Sequence, residues 1–247
     1  MLNRFSRTEL LLGEENMSKL AQSKIAIFGI GGVGSYVAEG LARCGIGEFI
    51  LIDSDDISLT NINRQIHALE TTIGQKKTLM MKERILAINP QAKVTTIEKL
   101  YTPESNFFNW DDNYTYIVDA VDDVKAKINL IVNANKHNLP IMSSMGTANK
   151  LDPQKFVITD IYKTHTCPLA RIMRKTLKQQ GIKKLKVLYS TEEPFTNYTV
   201  NFKENTSKDN SPASTRKQPL GSISFVPPIA GLMIAGEIVK EICQINR

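Results

Sequence analysis

The chain has 247 residues, of which 42% are hydrophobic, 23% charged and 7% aromatic. This composition is typical of a soluble globular protein and excludes a disordered or fibrous chain. The net charge of +6 favours polyanionic ligands such as nucleotides and tRNA without choosing among them. The apolar stretches are shorter than the roughly 20 residues that cross a bilayer, so we expect no membrane insertion.

The cysteines Cys44, Cys167 and Cys243 are odd in number and widely spaced. Their spacing matches neither a disulfide framework nor a CxxC pair for structural zinc. The first residues include two arginines and a glutamate without a long apolar core, which argues against a secretory signal. We therefore expect reduced thiols and a cytoplasmic protein.

Strands and helices alternate through the first part of the chain. Short apolar runs ending in glycine or aspartate are typical of buried parallel strands, and segments with helical spacing follow them. Such alternation predicts a parallel sheet covered by helices on both faces. Strands are predicted at residues 24–29, 48–53 and 116–121, helices after residue 34 and at 77–88 and 125–135, and the apolar run 139–144 follows.

After Gly146 the alternation becomes irregular. The pattern predicts a strand at 156–161, helices at 168–180 and about 230–242, and a mobile loop in the polar segment 203–219. We expect a doubly wound, mostly parallel α/β fold of the Rossmann-like type. Residues 1–150 are predicted to bind the nucleotide, and residues 151–247 to complete the substrate and tRNA site within the same domain.

A glycine-rich turn follows the first predicted strand. The sequence GIGGVG places Gly29, Gly31 and Gly34 in GxGxxG spacing, with Gly32 between them. Such a turn lets backbone amides and a helix N-terminus approach a phosphate. Asp53 ends the next strand, where a carboxylate can accept hydrogen bonds from ribose hydroxyls. NAD enzymes share this pattern, so the turn predicts a nucleotide site without identifying the nucleotide.

Residues further along favour a triphosphate. Arg64 and Lys77 add two cations, from which a triphosphate benefits more than a diphosphate. Carboxylates after the strand at 116–121 suit Mg²⁺, and the chain lacks the GxxxxGK[ST] motif of an ordinary P-loop. The alternatives are a solvated surface for the cations and a helix cap for Asp122. The candidate ATP and Mg²⁺ residues of this region are Asp53, Asp55, Thr60, Asn61, Arg64, Lys77, Asp119, Asp122 and Asp123.

These residues, in this order, resemble the E1-like adenylating superfamily that includes ThiF, MoeB and HesA. The resemblance rests on the glycine turn, Asp53, the run TNINRQ at 60–65, the pair Gly74-x-x-Lys77, and Asp122. It implies that ATP adenylates a carboxylate.

Roles for individual residues follow from the same resemblance. It implies that Arg64 and Lys77 hold the phosphates, that Asp122 works with Mg²⁺ and that Asp53 binds the ribose. It also implies a homodimer, in which Arg7 reaches the ATP of the partner and stabilises charge developing during phosphoryl chemistry.

Within the superfamily, the chain is similar nearly end to end to the tRNA threonylcarbamoyladenosine dehydratases. The matching segments lie at 4–13, 160–174, 189–194 and 222–232. This similarity implies ATP-dependent cyclisation of N6-threonylcarbamoyladenosine in tRNA through its threonyl carboxylate. The alternative substrate is the C-terminal glycine of a ubiquitin-like sulfur carrier, although this chain lacks the paired CxxC motifs common in that branch.

The segment 171–186 contains seven Lys or Arg residues and no acid. On the predicted helix, one basic stripe can follow tRNA phosphates, or can simply be a solvated face. The stripe consists of Arg171, Arg174, Lys175 and Lys178.

Cys167 keeps the sulfur-carrier alternative open, because a thiol before a helix-initiating proline can act as a nucleophile. A sulfur-relay protein is a further candidate partner.

Overall fold

The computed structural model of the chain describes residues 2–195 and 220–245. Within this part, seven strands form one sheet. The strands are β1 (Lys24–Phe28), β2 (Glu48–Ile52), β3 (Lys93–Ile97), β4 (Tyr116–Asp119), β5 (Ile141–Ser144), β6 (Phe156–Asp160) and β7 (Lys186–Ser190). Their order is β3-β2-β1-β4-β5-β7-β6, and β6 runs antiparallel at one edge while the others are parallel. The predicted doubly wound, mostly parallel α/β fold is confirmed.

The described helices connect and cover these strands. They are α1 (Ser6–Leu12), α2 (Glu14–Gln22), α3 (Gly34–Arg43), α4 (Lys77–Ile88), α5 (Val124–Lys136), α6 (Pro168–Gln179) and α7 (Val226–Ile242). The chain moves outward from β1 to β2 and β3, and then returns to β4 on the other side of β1. This reversal opens a crevice at the carboxyl ends of β1 and β4, the usual ligand position in such sheets.

The principal core lies between the sheet and the pair of helices α3 and α7. Strand side chains such as Ile25, Ile27 and Leu51 are fully buried there against Val37 and Ile234. The two helices approach closely, since a Cβ on Gly231 would lie 2.5 Å from the Val33 carbonyl oxygen. This packing places the start of α7 beside the glycine-rich turn.

Most predicted elements agree with the structure to within a few residues, but helices α1 and α2 and strands β3 and β7 were not predicted. Helices α1 and α2 cover residues for which no element was predicted, and α1 has no buried residue that would mark an apolar face. Strand β3 lies at the sheet edge, and its side chains are exposed or half-buried, so its sequence has no continuous apolar run.

Two further predictions concern the C-terminal part. Strands β6 and β7, which follow residue 150, extend the same sheet through pairing of β7 with β5. The loop predicted at 203–219 lies outside the described residues. Across the part of the chain that the structure describes, no helix is long and apolar enough to cross a membrane.

Candidate active site

A cavity of about 450 Å³ lies at the carboxyl ends of β1, β2 and β4, at the point where the strand order reverses. Its walls come from the glycine-rich turn, the segment after β2, the start of α4 and the turn after β4. The segment that precedes α7 contributes Leu220 and Ser222 to the cavity lining. The polar and glycine residues around it include Gly29, Gly31, Gly32, Asp53, Asp55, Asn61, Arg64, Gln65, Lys77, Asp122, Asp123, Thr147 and Ser222.

The glycine-rich turn is shaped by close backbone packing. Gly29 has a φ of +86°, and a Cβ on it would lie 2.6 Å from the carbonyl oxygen of Ala120. A Cβ on Gly34 would lie only 1.8 Å from the carbonyl oxygen of Gly29. By contrast, a Cβ on Gly31 would meet only the Gln65 amide nitrogen, at 3.8 Å, and would project toward the cavity. Gly29 and Gly34 therefore build the turn, and Gly31 leaves room for a ligand.

The start of α3 provides the other half of an anion site. Val33 precedes the helix and makes no side-chain cap hydrogen bond to it. The amide groups of a helix N-terminus carry partial positive charge and favour phosphate oxygens. The turn is therefore suited to phosphate, as its spacing predicted.

Asp53 links the turn to the second strand. One carboxylate oxygen accepts a hydrogen bond from the Ile30 amide at 2.7 Å, and the other accepts from the Asp55 amide at 2.9 Å. The carboxylate is thereby fixed on the cavity wall. Since each oxygen has a second lone pair, Asp53 can still accept from a ribose hydroxyl.

The two predicted cations both reach the cavity. Lys77 is the first residue of α4, and its largely buried ammonium group lies 2.6 Å from an Asp55 carboxylate oxygen. Arg64 is half-buried, and this burial lowers the pKa of its guanidinium group. Because desolvation disfavours an isolated cation, both side chains would gain from an anionic ligand.

Neighbouring residues hold this cationic wall in place. The Arg64 Nη1 atom donates to the carbonyl oxygen of Thr60 and to Asn63 Oδ1, both at 2.9 Å. Asn61 is buried, and its side-chain oxygen accepts from the Ser58 amide at 3.1 Å. Thr60 was predicted to bind the nucleotide, but the structure places it outside the cavity lining, where it supports Arg64.

Gln65 was part of the sequence motif but was assigned no role. It is 5% exposed, and its Oε1 atom has no hydrogen-bond partner among the described residues. Its amide lies beside Gly31 on the cavity wall. A buried polar atom without a partner is costly, and a bound ligand or water would satisfy it. This side chain is therefore a further candidate for ligand contact.

The carboxylates after β4 divide into separate roles. Asp119 is fully buried, where it pairs with Lys127 Nζ at 3.0 Å and accepts from Ser143 Oγ. The prediction that Asp119 faces Mg²⁺ is wrong for this reason. Asp123 caps α5 by accepting from the Ala126 amide at 2.8 Å, although it also lines the cavity. Asp122 is exposed on the cavity wall.

No cluster of metal ligands accompanies Asp122. The residues that the structure describes contain no group of three or more His, Cys, Asp or Glu side chains placed to hold a metal ion. Mg²⁺ is commonly held by one or two carboxylates together with substrate phosphates. Asp122 beside a phosphate turn fits that arrangement.

Several predicted residues lie away from the cavity. Arg7 is exposed on α1 and is not among the described residues that line the cavity of its own chain. Cys167 is 5% exposed and packs in a second hydrophobic cluster with Met173 and Tyr189. The thiol is thus buried at the start of α6, rather than presented to the nucleotide.

The basic stripe lies on α6. Arg171, Lys175 and Lys178 are exposed. Arg174 differs, because its Nη1 atom donates to the Thr164 carbonyl oxygen at 2.8 Å and to the Thr164 hydroxyl. Three of the four predicted cations therefore face solvent, and the fourth fixes the loop before α6.

Some cavity residues could not have been found from a motif. Lys99, Leu100 and Tyr101 follow the missed strand β3, and Thr147 lies in an irregular segment. The fold brings these distant segments together at one end of the sheet. Two cavity residues without an assigned role did have a sequence signal, since Gln65 belongs to the TNINRQ run and Ser222 begins the matching segment 222–232.

Fold and site together define a nucleotide-binding α/β protein with a cationic site for a polyphosphate. The model of the ThiF family matches residues 5–247, and the chain belongs to this family. The tRNA threonylcarbamoyladenosine dehydratase of Bacillus subtilis is 42% identical over 245 residues, covering 99% of this chain and 96% of that protein. The molybdopterin-synthase adenylyltransferase of Haemophilus influenzae is 28% identical over 165 residues, or 67% of this chain and 65% of that protein.

A solved structure is similar over nearly the whole chain. It is E. coli tRNA N6-threonylcarbamoyladenosine dehydratase in complex with ATP, with a TM-score of 0.83 and 32% identity. The similarity covers 98% of this chain and 94% of that chain.

Proposed function

We propose that the protein is an ATP-dependent dehydratase that cyclises N6-threonylcarbamoyladenosine in tRNA. One structural observation carries the proposal: the glycine turn, with room at Gly31, lines the same cavity as two cations, the half-buried Arg64 and the largely buried Lys77. The 42% identity to a dehydratase over almost the whole chain supports this substrate. The structural similarity to a dehydratase that holds ATP supports the nucleotide.

The reaction proceeds in two steps. A carboxylate oxygen of the threonyl group attacks the α-phosphorus of ATP, and pyrophosphate leaves to give an acyl adenylate. An atom of the same modified base then attacks the acyl carbon, and AMP leaves as the ring closes. The net change in the nucleoside is the loss of water, and no protein nucleophile is needed.

The residues of the cavity stabilise the first step. Arg64 and Lys77 offset negative charge that develops as pyrophosphate separates, and the amides of the glycine turn bind phosphate oxygens. Asp53 and Asn61, which line the same cavity, orient the nucleotide. Because Lys77 is paired with Asp55, bound phosphate competes with Asp55 for the ammonium group.

Mg²⁺ fits beside Asp122, with Asp123 as a neighbouring carboxylate. These residues would hold the ion together with ATP phosphates, since Mg²⁺ prefers oxygen ligands of this kind. When bound, the ion supplies positive charge that neutralises the phosphates. Asp122 itself presents an exposed carboxylate on the cavity wall.

We propose a homodimer in which Arg7 completes the site of the partner. Arg7 is exposed on α1, and the same helix presents Leu10 and Leu11, which are 88% and 83% exposed. Exposed apolar side chains on one helix favour burial against another chain. Mixing Arg7→Ala with Lys77→Ala protein should restore turnover, because each mixed dimer then has one complete site. If the mixture stays inactive while each variant remains folded and dimeric, Arg7 does not act across the dimer.

We propose that α6 binds tRNA phosphates through Arg171, Lys175 and Lys178, with Arg174 in a supporting role. The helix buries Met173 and Leu177 and presents these cations to solvent. Phosphate contacts of this type provide most of the affinity of a protein for nucleic acid.

The sulfur-carrier alternative requires a thiol near the activated carboxylate in those branches where a covalent intermediate forms. Here Cys167 is buried in the second cluster, which favours the tRNA substrate. We also propose a cytoplasmic location, which the three free cysteines support because a reducing compartment keeps thiols free. Since ring closure needs no protein nucleophile, a sulfur-relay protein would act only as an auxiliary partner.

The deciding experiment is mass spectrometry of nucleosides after incubation of tRNA, ATP and the protein. We expect the modified adenosine to lose the mass of one water molecule, with AMP formed in equal amount. The control omits ATP, and a parallel reaction supplies a ubiquitin-like sulfur carrier instead of tRNA. Adenylation of the carrier without any change in the tRNA nucleoside would establish the alternative.

A further inference from the structure

Asn149 joins three segments of the chain next to the cavity. Its backbone amide donates to the Gly221 carbonyl oxygen at 2.8 Å, and its side-chain Oδ1 accepts from the Gly221 amide at 2.7 Å. Its own carbonyl oxygen accepts from the Phe195 amide at 2.9 Å. Both backbone polar groups of Gly221 are therefore held by one residue.

The conformation of Asn149 explains why this residue type can do so. Its φ is +56°, in the left-handed region that asparagine and glycine tolerate better than other residues. Glycine would share the backbone conformation but would lack the Oδ1 acceptor. Asn149 thus combines an uncommon backbone conformation with a side-chain hydrogen bond.

The contacts continue from Gly221 to the cationic wall. The next residue, Ser222, accepts a hydrogen bond on its carbonyl oxygen from Asn63 Nδ2 at 3.0 Å. Asn63 Oδ1 in turn accepts from Arg64 Nη1 at 2.9 Å. Hydrogen bonds and one peptide link therefore connect Asn149 to the guanidinium group.

We propose that Asn149 is a positioning residue for Arg64, acting through Gly221, Ser222 and Asn63. The inference rests on the proposed function, because it takes the Arg64 guanidinium as a group that grips ATP. Asn149 itself touches no reacting atom. The hydrogen bonds in the series are solvent-exposed, so they contribute little to stability and chiefly fix a direction.

The test is a double-mutant cycle measured as AMP formation at saturating ATP and modified tRNA. Asn149→Gly keeps the left-handed backbone and removes Oδ1, and should lower kcat about tenfold. Asn149→Asp keeps an oxygen acceptor and should retain most of the activity. In an Arg64→Lys background, which lacks the guanidinium, Asn149→Gly should cause no further loss.

Matched controls separate positioning from a general loss of structure. Asn138 also has a left-handed backbone, with φ of +55°, but lies at the end of α5; Asn138→Gly should leave kcat unchanged. If Asn149→Gly fails to fold, Asn63→Ala interrupts the same series at its other end and should reproduce the tenfold loss.

Two results would overturn the inference. One is full activity of folded Asn149→Gly; the other is an equal fractional loss in the wild-type and Arg64→Lys backgrounds. Failure of the proposed function gives a different result, since the wild-type protein would then form no AMP with modified tRNA.

Discussion

The nucleotide end of the sheet and the end formed by β6, β7 and α6 are held by different kinds of contact. At the nucleotide end, backbone lies directly on backbone, as where a Cβ on Gly29 would come within 2.6 Å of the Ala120 carbonyl oxygen. At the other end, side chains join loops. The Glu192 carboxylate accepts from the Leu151 and Asp152 amides at 2.9 and 3.0 Å.

The two ends of the sheet should tolerate substitutions to different degrees. Backbone contacts at the limit of close packing leave no space for an added methyl group, so a change there moves the main chain. A hydrogen bond from a side chain can be removed singly, and typically costs about 1 kcal/mol. The nucleotide end should therefore respond abruptly to substitution, and the far end gradually.

The largest effect is expected at Gly34. In Gly34→Ala, the new Cβ would lie 1.8 Å from the Gly29 carbonyl oxygen, so the turn or the start of α3 must move. We expect a loss on the order of 3 kcal/mol of unfolding free energy, or no folded protein. Chemical denaturation measures this. Gly236→Ala in α7 is the control, because nothing lies within 4 Å of its Cβ position. An unfolding midpoint equal to that of wild type for Gly34→Ala would contradict the backbone contact.

Gly31→Ala adds the same methyl group at a roomier position of the same turn. Its Cβ would meet only the Gln65 amide, at 3.8 Å, so stability should stay close to that of the wild type. The methyl group would occupy the space assigned to phosphate, and ATP affinity measured by calorimetry should fall. Unchanged ATP affinity would mean that phosphate binds elsewhere in the cavity.

The next effect concerns turnover without loss of fold. Lys77→Ala removes a largely buried cation from the cavity and should lower kcat by about 10²–10³, the typical loss for a preorganised electrostatic contact. Lys76→Ala is the matched control, since Lys76 is the preceding residue and pairs with Asp56 at 2.7 Å. AMP formation measures both variants. Equal losses in the two variants would show that general surface charge, rather than the position of Lys77, matters.

The same contrast explains what could be predicted from the sequence. Gly29, Gly31 and Asp53 belong to a local pattern in which strand, turn and helix follow one another, so their placement could be inferred from spacing. Asn149 contacts Gly221 across 72 residues, and such a pairing depends on where the strands end. The sequence alone gave no reason to pair them.

The predictions for Arg174 and Asp119 differ from the structure because both side chains make contacts that depend on the fold. Arg174 was predicted to belong to a basic stripe that follows tRNA phosphates, and helical spacing does place it on that face, but the Thr164 carbonyl oxygen accepts a hydrogen bond from its guanidinium group. Asp119 was predicted to face a metal because it ends a strand. Its burial against Lys127 depends on a cation eight residues later, on the first turns of α5.

A smaller effect is expected for the tRNA surface. Lys175→Glu combined with Lys178→Glu should raise the KM for tRNA roughly tenfold and lower the salt dependence by about two ions, because both side chains are exposed on α6. The KM for ATP should not change. A double variant of the same net charge, Lys93→Glu with Lys136→Glu, is the control, since these exposed lysines lie on β3 and α5. If both double variants raise the tRNA KM equally, total charge rather than α6 attracts the tRNA.

The smallest effect concerns His67 beneath the glycine turn. Its Nε2 atom donates to the Ile30 carbonyl oxygen at 2.8 Å, and burial together with the charge of Lys77 lowers the pKa of the imidazole. Above an unfolded-state pKa of about 6.5 the ring is neutral in both states. As pH falls below that value, the unfolded chain binds the proton first, so the free energy of unfolding falls until pH reaches the lower folded-state pKa.

Replacement of His67 by glutamine tests this linkage. Glutamine keeps an amide donor for the Ile30 carbonyl but does not titrate. Between about pH 7.5 and 5.5, wild type should lose more unfolding free energy than His67→Gln, by at most about 1.4 kcal/mol per pH unit. Denaturation curves at a series of pH values measure the difference. Parallel pH profiles for the two proteins would show that the ring beneath the turn titrates as it does in the unfolded chain, and that the nucleotide end is less tightly desolvated than its backbone contacts indicate.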